Sequence, residues 1–133
     1  MSLPTLRPTS SKDDAYQYTS GTYGGDIYYN IDYIRVGNYG NSGSWRGDLH
    51  TSVRFPDVPL QNGVSIAAAT ISVKTYNGSS DDVNLKIRAH DVDDAPVTST
   101  NDYTISGYTS TSAGVDWDRT SVSDETWYTS PDI

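Results

Sequence analysis

Acidic residues gather where one of the predicted strands ends. Asp91, Asp93 and Asp94 cluster at the end of the alternating run 82–91. Ca²⁺ binds roughly six to eight hard oxygen ligands with relaxed geometry, so these carboxylates are candidate ligands for a structural Ca²⁺. The run lacks the glycine and the distal glutamate of an EF-hand, and aspartate is also common where strands end and turns begin. Both interpretations stay open.

Aromatic residues crowd into a segment rich in Gly, Asn and Ser, between residues 23 and 45. The apolar face of a sugar ring can stack on an aromatic side chain, and surfaces of Tyr, Ser, Gly and Asn are also typical of adaptable protein-binding loops. The residues predicted to bind such a ligand are Tyr28, Tyr39, Trp45 and Arg46. In the alternative interpretation, Tyr29, Tyr33 and Trp45 fill the core and the other tyrosines are half-buried strand residues.

No residue pattern indicates catalysis. The two histidines, His50 and His90, occupy outward-facing positions of predicted strands. The sequence contains no nucleophile elbow, phosphate-binding loop, dinucleotide fingerprint or zinc-protease motif. Glu125 is the only glutamate, and no pair of carboxylates stands out as the pair that glycoside hydrolysis needs. The sequence therefore predicts a protein that is not an enzyme and has no catalytic residue.

Length and charge restrict the class of protein further. The chain has 133 residues, 9 Lys and Arg against 17 Asp and Glu, a net charge of −8 and no Cys. Such a length fits one domain with a modest core. An acidic chain lacks the basic surface that displaces counterions from phosphates, which argues against a nucleic-acid partner. No stretch is apolar over the length of a membrane span or of a secretory signal, so neither is predicted.

The alternation of side chains predicts an all-β protein. Residues that favour turns and strands are abundant, whereas Leu, Glu and Met, which favour helices, are scarce. The expected strands are residues 15–18, 27–33, 49–55, 65–76, 82–91, 114–117 and 125–128. Strands that are polar on one face are typical of two antiparallel sheets packed face to face. We expect an antiparallel two-sheet β-sandwich over residues 13–133, with an extended lead-in over residues 1–12 and a long polar loop over residues 37–44.

One connection can be predicted in detail. The turn signal NGSS at 77–80 predicts a hairpin between the fourth and fifth of these strands. Both strands place odd-numbered residues inward, so the numbers of two opposed residues must add up to an even number. This rule puts Lys74 opposite Asn84. It also puts Ser72 opposite Lys86.

The order of several short runs resembles a known type of module. The runs are YIRVGNYG at 33–40, VRFPDVP at 53–59, GVSIAAA at 63–69, VNLKI at 83–87, DVDDAP at 91–96 and VDW at 115–117. Over roughly residues 10–133 this order is similar to the DNRLRE-type, disaggregatase-related β-sandwich modules of extracellular bacterial and archaeal proteins and of phage virion proteins. The resemblance implies a jelly-roll-like sandwich classed with carbohydrate-binding modules. It assigns no catalytic or binding residue to a position in this sequence.

The resemblance also concerns the C-terminal stretch. In modules of this type, a stretch similar to WYTSPDI at 127–133 is followed by further strands, whereas this sequence stops there. We therefore expect a sandwich that lacks terminal strands and has open edges, which a strand from another chain completes by β-augmentation. A homo-oligomer or a larger assembly is the expected state.

Together these patterns predict a non-catalytic module, located outside the cell or on a virion surface, that binds a glycan or a protein partner in adhesion or assembly. The alternative is a purely structural subunit, such as a phage capsid decoration, tail or filament protein, completed by strand exchange with neighbouring chains. Exposed, stacked rings around Tyr39 and Trp45 favour glycan binding. Burial of those rings in a subunit interface favours the structural role.

Overall fold

The computed structural model of the chain describes residues 5–10, 12–29, 33–41, 44–59, 63–93, 95 and 105–133. For residues 38–41 and 44–46 it describes the backbone only. The elements in chain order are β1 (Asp14–Tyr18), β2 (Ile27–Tyr29), β3 (Asn38–Asn41), β4 (Ser44–Val53), β5 (Ser72–Lys74), β6 (Val83–Ile87), a 3-10 turn (Ile105–Gly107), β7 (Val115–Arg119) and β8 (Trp127–Thr129). These strands pair antiparallel. The all-β prediction is confirmed.

The chain divides into two compact units. Unit 1 comprises Met1–Asn62 and Val92–Tyr108, and unit 2 comprises Gly63–Asp91 and Thr109–Ile133. Unit 1 contains a four-stranded sheet in the order β2-β1-β4-β3, whereas unit 2 contains the two-stranded sheets β5-β8 and β6-β7. Face-to-face packing of two sheets in a single sandwich stays a prediction. Within the described ranges, no helix has the length and apolar character needed to cross a bilayer.

Strand β1 is buried along almost its whole length. It pairs with β2 along one edge and with β4 along the other. Ala15, Tyr16, Gln17 and Tyr18 are all buried. Because alternate residues of a strand point to opposite faces, burial of all four means that both faces of β1 are covered. A strand protected on both edges and both faces forms the centre of this unit.

The face of β1 that carries Gln17 is covered by the 3-10 turn. Ile105 of the turn is buried. The backbone N–H of Ser106 donates a hydrogen bond to Gln17 Oε1 over 3.0 Å. This bond gives the buried amide oxygen a partner, which it needs because an unpaired polar group in the core is costly.

The polar segment 37–44 contains a strand, so the prediction of a long loop there is wrong. Strand β3 pairs with β4, with a register shift between Tyr39 and Gly40. Farther along β4, Gly47 has a φ of 131°, and a Cβ added to it would lie 1.8 Å from the carbonyl oxygen of Ser20. Only glycine allows this approach between two backbones. Pairing with the longer strand β4 thus allows the polar segment 38–41 to form a strand, and Gly47 allows β4 to pass close to Ser20.

The predicted hairpin in unit 2 is also wrong, because the two strands pair with other partners. Lys74 of β5 lies opposite Trp127 of β8. Lys86 of β6 lies opposite Asp116 of β7, and the two side chains form an ion pair at 3.0 Å. The even-sum rule only requires that inward-facing residues of one strand lie opposite inward-facing residues of its partner. It does not determine which strand that partner is.

The alternation predicted for β6 is confirmed in its central part. Val83, Leu85 and Ile87 are half-buried, whereas the intervening residues are exposed. Leu85 lies opposite Trp117, which is buried. Beyond Ile87 the strand ends and the alternation reverses, because Ala89 is exposed and His90 is half-buried.

Candidate functional site

A cluster of tyrosines covers the second face of β1 and contains Tyr28, one of the predicted binding residues. Its ring stacks on that of Tyr16, with centroids 5.0 Å apart and planes 13° apart. Tyr18 meets both rings edge-on, at 5.9 Å from Tyr16 and 5.8 Å from Tyr28. Tyr23 lies 5.6 Å from Tyr18. Since Tyr16 and Tyr18 are buried and Tyr28 is half-buried, these rings pack mainly against one another.

A guanidinium group lies against the same cluster. The Arg35 side chain lies 5.8 Å from the ring centre of Tyr16 and 5.6 Å from that of Tyr33, and its Nη1 donates a 3.0 Å hydrogen bond to Tyr18 Oη. Burial raises the pKa of Tyr16 to about 12 although Arg35 opposes the shift. Burial, with Asp26 nearby, also raises the pKa of Tyr28. Neutral rings around a cation form a stable cation–π core.

A buried carboxylate fixes the segment before β1. Asp13 is 1 % exposed, and its Oδ2 accepts hydrogen bonds from the N–H of Thr9 at 3.0 Å and the N–H of Ser10 at 2.8 Å. Its Oδ1 pairs with Arg54 Nη1 at 3.0 Å, and Arg54 Nε also donates to the carbonyl oxygen of Ala95 at 2.6 Å. This charge pair joins three segments of unit 1 and is structural.

The remaining predicted binding residues belong to the β3–β4 pair. Tyr39 lies in β3, and Trp45 and Arg46 lie in β4. Their side chains lie outside the described part of the chain, so their role in ligand binding stays a prediction.

The predicted Ca²⁺ ligands are described only in part. Asp91 and Asp93 are exposed, and Asp94 lies outside the described residues. The backbone N–H of Asp91 donates a hydrogen bond to the carbonyl oxygen of Thr109 over 2.8 Å. Among the residues that the structure describes, no group of three or more acidic or histidine side chains is placed to hold a metal ion. Calcium binding stays a prediction.

The described residues bring together a different aromatic surface, on the exposed face of β5-β8. Trp127 is 63 % exposed and lies opposite Lys74, which is also exposed. Ser72 and Thr129 lie opposite each other on the same face, and their hydroxyl oxygens are 2.8 Å apart. We call the surface formed by Ser72, Lys74, Glu125, Trp127 and Thr129 the Trp127 face.

Charges on the Trp127 face are balanced. Lys74 Nζ forms an ion pair with Glu125 Oε2. Glu125 precedes β8 and has a φ of 50°, in the left-handed region. Beyond β5, Tyr76 is 70 % exposed. The face thus presents an indole ring, two hydroxyl groups and an ion pair, with a second exposed ring close by in the chain.

Contacts of Tyr128 on the opposite face of β8 fix the outward orientation of Trp127. Tyr128 points to the half-buried side, where the Arg119 guanidinium lies 4.6 Å from its ring centre. The N–H of Ser123 donates a 2.7 Å hydrogen bond to Tyr128 Oη, and this bond lowers the pKa of Tyr128. Since neighbouring residues of a strand face opposite ways, anchoring Tyr128 directs Trp127 outward.

Sequence reasoning identified this stretch as strand-like but did not select Trp127 as a site residue. The signal was present: two adjacent aromatic residues in a strand cannot both face inward. Which of the two faces outward depends on Arg119 and Ser123, whose contacts are visible only in the folded chain.

No protein family, curated protein or solved structure that was compared with the chain matches it. The resemblance to DNRLRE-type modules stays a prediction. What supports a function is therefore the chemistry of the described side chains, and the Trp127 face is the strongest candidate among them.

Proposed function

We propose that the chain is a non-catalytic β module that binds a glycan or a protein partner through the Trp127 face. The observation that carries the proposal is the exposure of Trp127, with 63 % of the residue accessible on a regular strand. A large aromatic side chain in water is unfavourable, and covering it with a ligand recovers that free energy. An extracellular or virion-surface location suits such a module.

The free energy gained by covering the Trp127 side chain is large enough to contribute to ligand binding. Covering about 100 Å² of the indole is worth about 2.5 kcal/mol at roughly 25 cal/mol per Å². The flanking hydroxyl and charged groups supply hydrogen bonds that orient the ligand, as polar groups around an aromatic contact do. Trp127 is therefore expected to be the main contact of the site.

The experiment compares binding by wild-type protein, Trp127→Ala and Ile66→Ala on a glycan array and against candidate host surfaces. Ile66 is 61 % exposed and lies outside the Trp127 face, so it controls for loss of an exposed apolar side chain. We expect Trp127→Ala to weaken binding at least about tenfold and Ile66→Ala to leave it unchanged. Equal binding by all three proteins would contradict the proposal.

The second candidate function is a structural subunit completed by strand exchange, and open sheet edges favour it. Within the described residues, each strand of β5-β8 and β6-β7 pairs on one edge only. Two-stranded sheets are marginal alone, and free edges accept strands from other chains. Analytical ultracentrifugation tests this function: concentration-dependent assembly supports it, and a stable monomer at micromolar concentration contradicts it.

A further inference from the structure

We infer that the ligand of the Trp127 face is a neutral glycan, an inference that rests on the proposed function and adds the class of ligand. One sugar ring stacks on Trp127 through its C–H face. The hydroxyl pair of Ser72 and Thr129 lies two residues along the strands from Trp127, and Lys74, paired with Glu125, lies directly opposite Trp127 on β5. A pyranose ring needs this combination of one apolar platform and polar groups at its rim.

The charge of the face selects a neutral ligand over an anionic one. Lys74 is the cation of the face, and Glu125 compensates it. An acidic sugar would have to displace the Glu125 carboxylate or lie beside it, and like charges repel. The whole chain has a net charge of −8, which opposes the approach of a polyanion. Hydroxyl groups of a neutral sugar can instead donate to Glu125 and accept from Lys74.

The polar rim also favours a glycan over a protein partner. The fully buried centre of a protein interface is depleted of charged residues and more apolar than the rest of the surface. Trp127 is surrounded by two hydroxyl groups and two charged groups, so a single ring is the apolar part of the face. A small ring with hydroxyls around its edge matches that pattern.

A second exposed ring predicts preference for an oligosaccharide. Thr75 continues the pairing of β5 with β8, since its N–H donates to the carbonyl oxygen of Thr126 over 3.0 Å. Tyr76 follows directly and is 70 % exposed. A glycan long enough to reach this exposed ring as well as Trp127 is expected to bind more tightly than a monosaccharide.

The test uses isothermal titration calorimetry with defined probes. The neutral probes are gluco-, manno-, xylo- and galacto-oligosaccharides in α- and β-linked forms, and the anionic probes are polygalacturonate, alginate and heparin. We expect at least one neutral oligosaccharide to bind, with affinity insensitive to salt, and no anionic probe to bind. Trp127→Ala should weaken binding at least about tenfold. Thr129→Val keeps the branched shape but removes a hydroxyl, and should weaken binding about threefold to tenfold. Ile66→Ala should leave it unchanged.

The outcomes separate the inference from the function on which it rests. If an anionic probe binds and Trp127→Ala abolishes that binding, the inference is wrong and the proposed function stands. The inference is also wrong, and the proposed function stands, if no neutral probe binds but a host protein binds through Trp127. If binding of every probe is unaffected by Trp127→Ala, both are wrong.

Discussion

Replacing the buried carboxylate of Asp13 tests how unit 1 is held together. Asp13→Asn keeps the shape of the side chain but removes its charge and one acceptor oxygen. In the wild type, Oδ2 accepts from Thr9 and Ser10 while Oδ1 pairs with Arg54. The amide of Asn replaces one of the two oxygens by an NH2 group, which donates. That NH2 group then faces either the N–H groups of Thr9 and Ser10 or the guanidinium of Arg54, none of which can accept.

The loss of stability caused by Asp13→Asn follows from these contacts. Hydrogen bonds to a charged group contribute roughly 1.5–3 kcal/mol each, but bonds that share one carboxylate are not additive. The Arg54 side chain is 25 % exposed, so water screens part of its pairing. We expect Asp13→Asn to lower the free energy of unfolding by about 3 kcal/mol. For a chain of this size the melting temperature should fall by about 10 °C.

The dependence on pH gives the sharper test. Burial on its own raises the pKa of Asp13, but Arg54 and the hydrogen bonds from Thr9 and Ser10 outweigh it and hold the pKa below the ordinary value of 3.8. As pH falls, the unfolded chain therefore takes up this proton before the folded chain does. The stabilisation is complete above the ordinary pKa and is lost as pH falls towards the folded pKa.

The assay is urea unfolding of the wild type, Asp13→Asn and Asp118→Asn at neutral pH and at about pH 3. Asp118 is exposed in β7 and controls for loss of one negative charge. The difference between wild type and Asp13→Asn should shrink in acid, and Asp118→Asn should change stability little. An equal difference at both pH values, or an equal loss from Asp118→Asn, would refute this reasoning.

Two further predictions concern backbone contact and tyrosine ionisation. Gly47→Ala should lower the free energy of unfolding by about 3 kcal/mol or prevent folding, because its Cβ would collide with the backbone of Ser20. Gly25→Ala is the control: Gly25 has a positive φ of 99° but open space around it, so this variant should lower the free energy of unfolding by about 1 kcal/mol. Equal losses from the two variants in urea unfolding would contradict the close approach. In an ultraviolet titration, Tyr16 should ionise at about 12, and stability should fall from about pH 10 upward because the unfolded chain ionises first. If Tyr16→Phe removes a step near the ordinary tyrosine pKa instead, the burial argument is wrong.

The existence of most strands could be predicted because alternation is a local property. The run at 15–18 was expected as a strand and forms β1 together with Asp14. The pairing of β5 with β8 could not be predicted, because its partner lies far along the chain and NGSS at 77–80 favours a local hairpin. Strand β3 was missed because its stability comes from pairing with β4 rather than from its own polar residues.

The candidate site was harder to predict than the strands. Aromatic density in the sequence favoured the tyrosine-rich segment, and Tyr28 from that segment is stacked within the tyrosine cluster. Trp127 has only one aromatic neighbour in its segment, Tyr128, and its exposure depends on the contacts of Tyr128 with Arg119 and Ser123. Sequence alone does not contain those contacts.

The interleaving of the two units determines how the protein can be dissected. The chain leaves unit 1 after Asn62 and returns to it at Val92. A truncation after residue 62 would therefore remove the 3-10 turn together with unit 2. Gln17 would lose the N–H of Ser106, and water would reach the face of β1 that carries Gln17, which the turn with Ile105 now covers. Removing unit 2 while keeping unit 1 intact therefore requires both a deletion of residues 63–91, which rejoins the two segments of unit 1, and a truncation after residue 108.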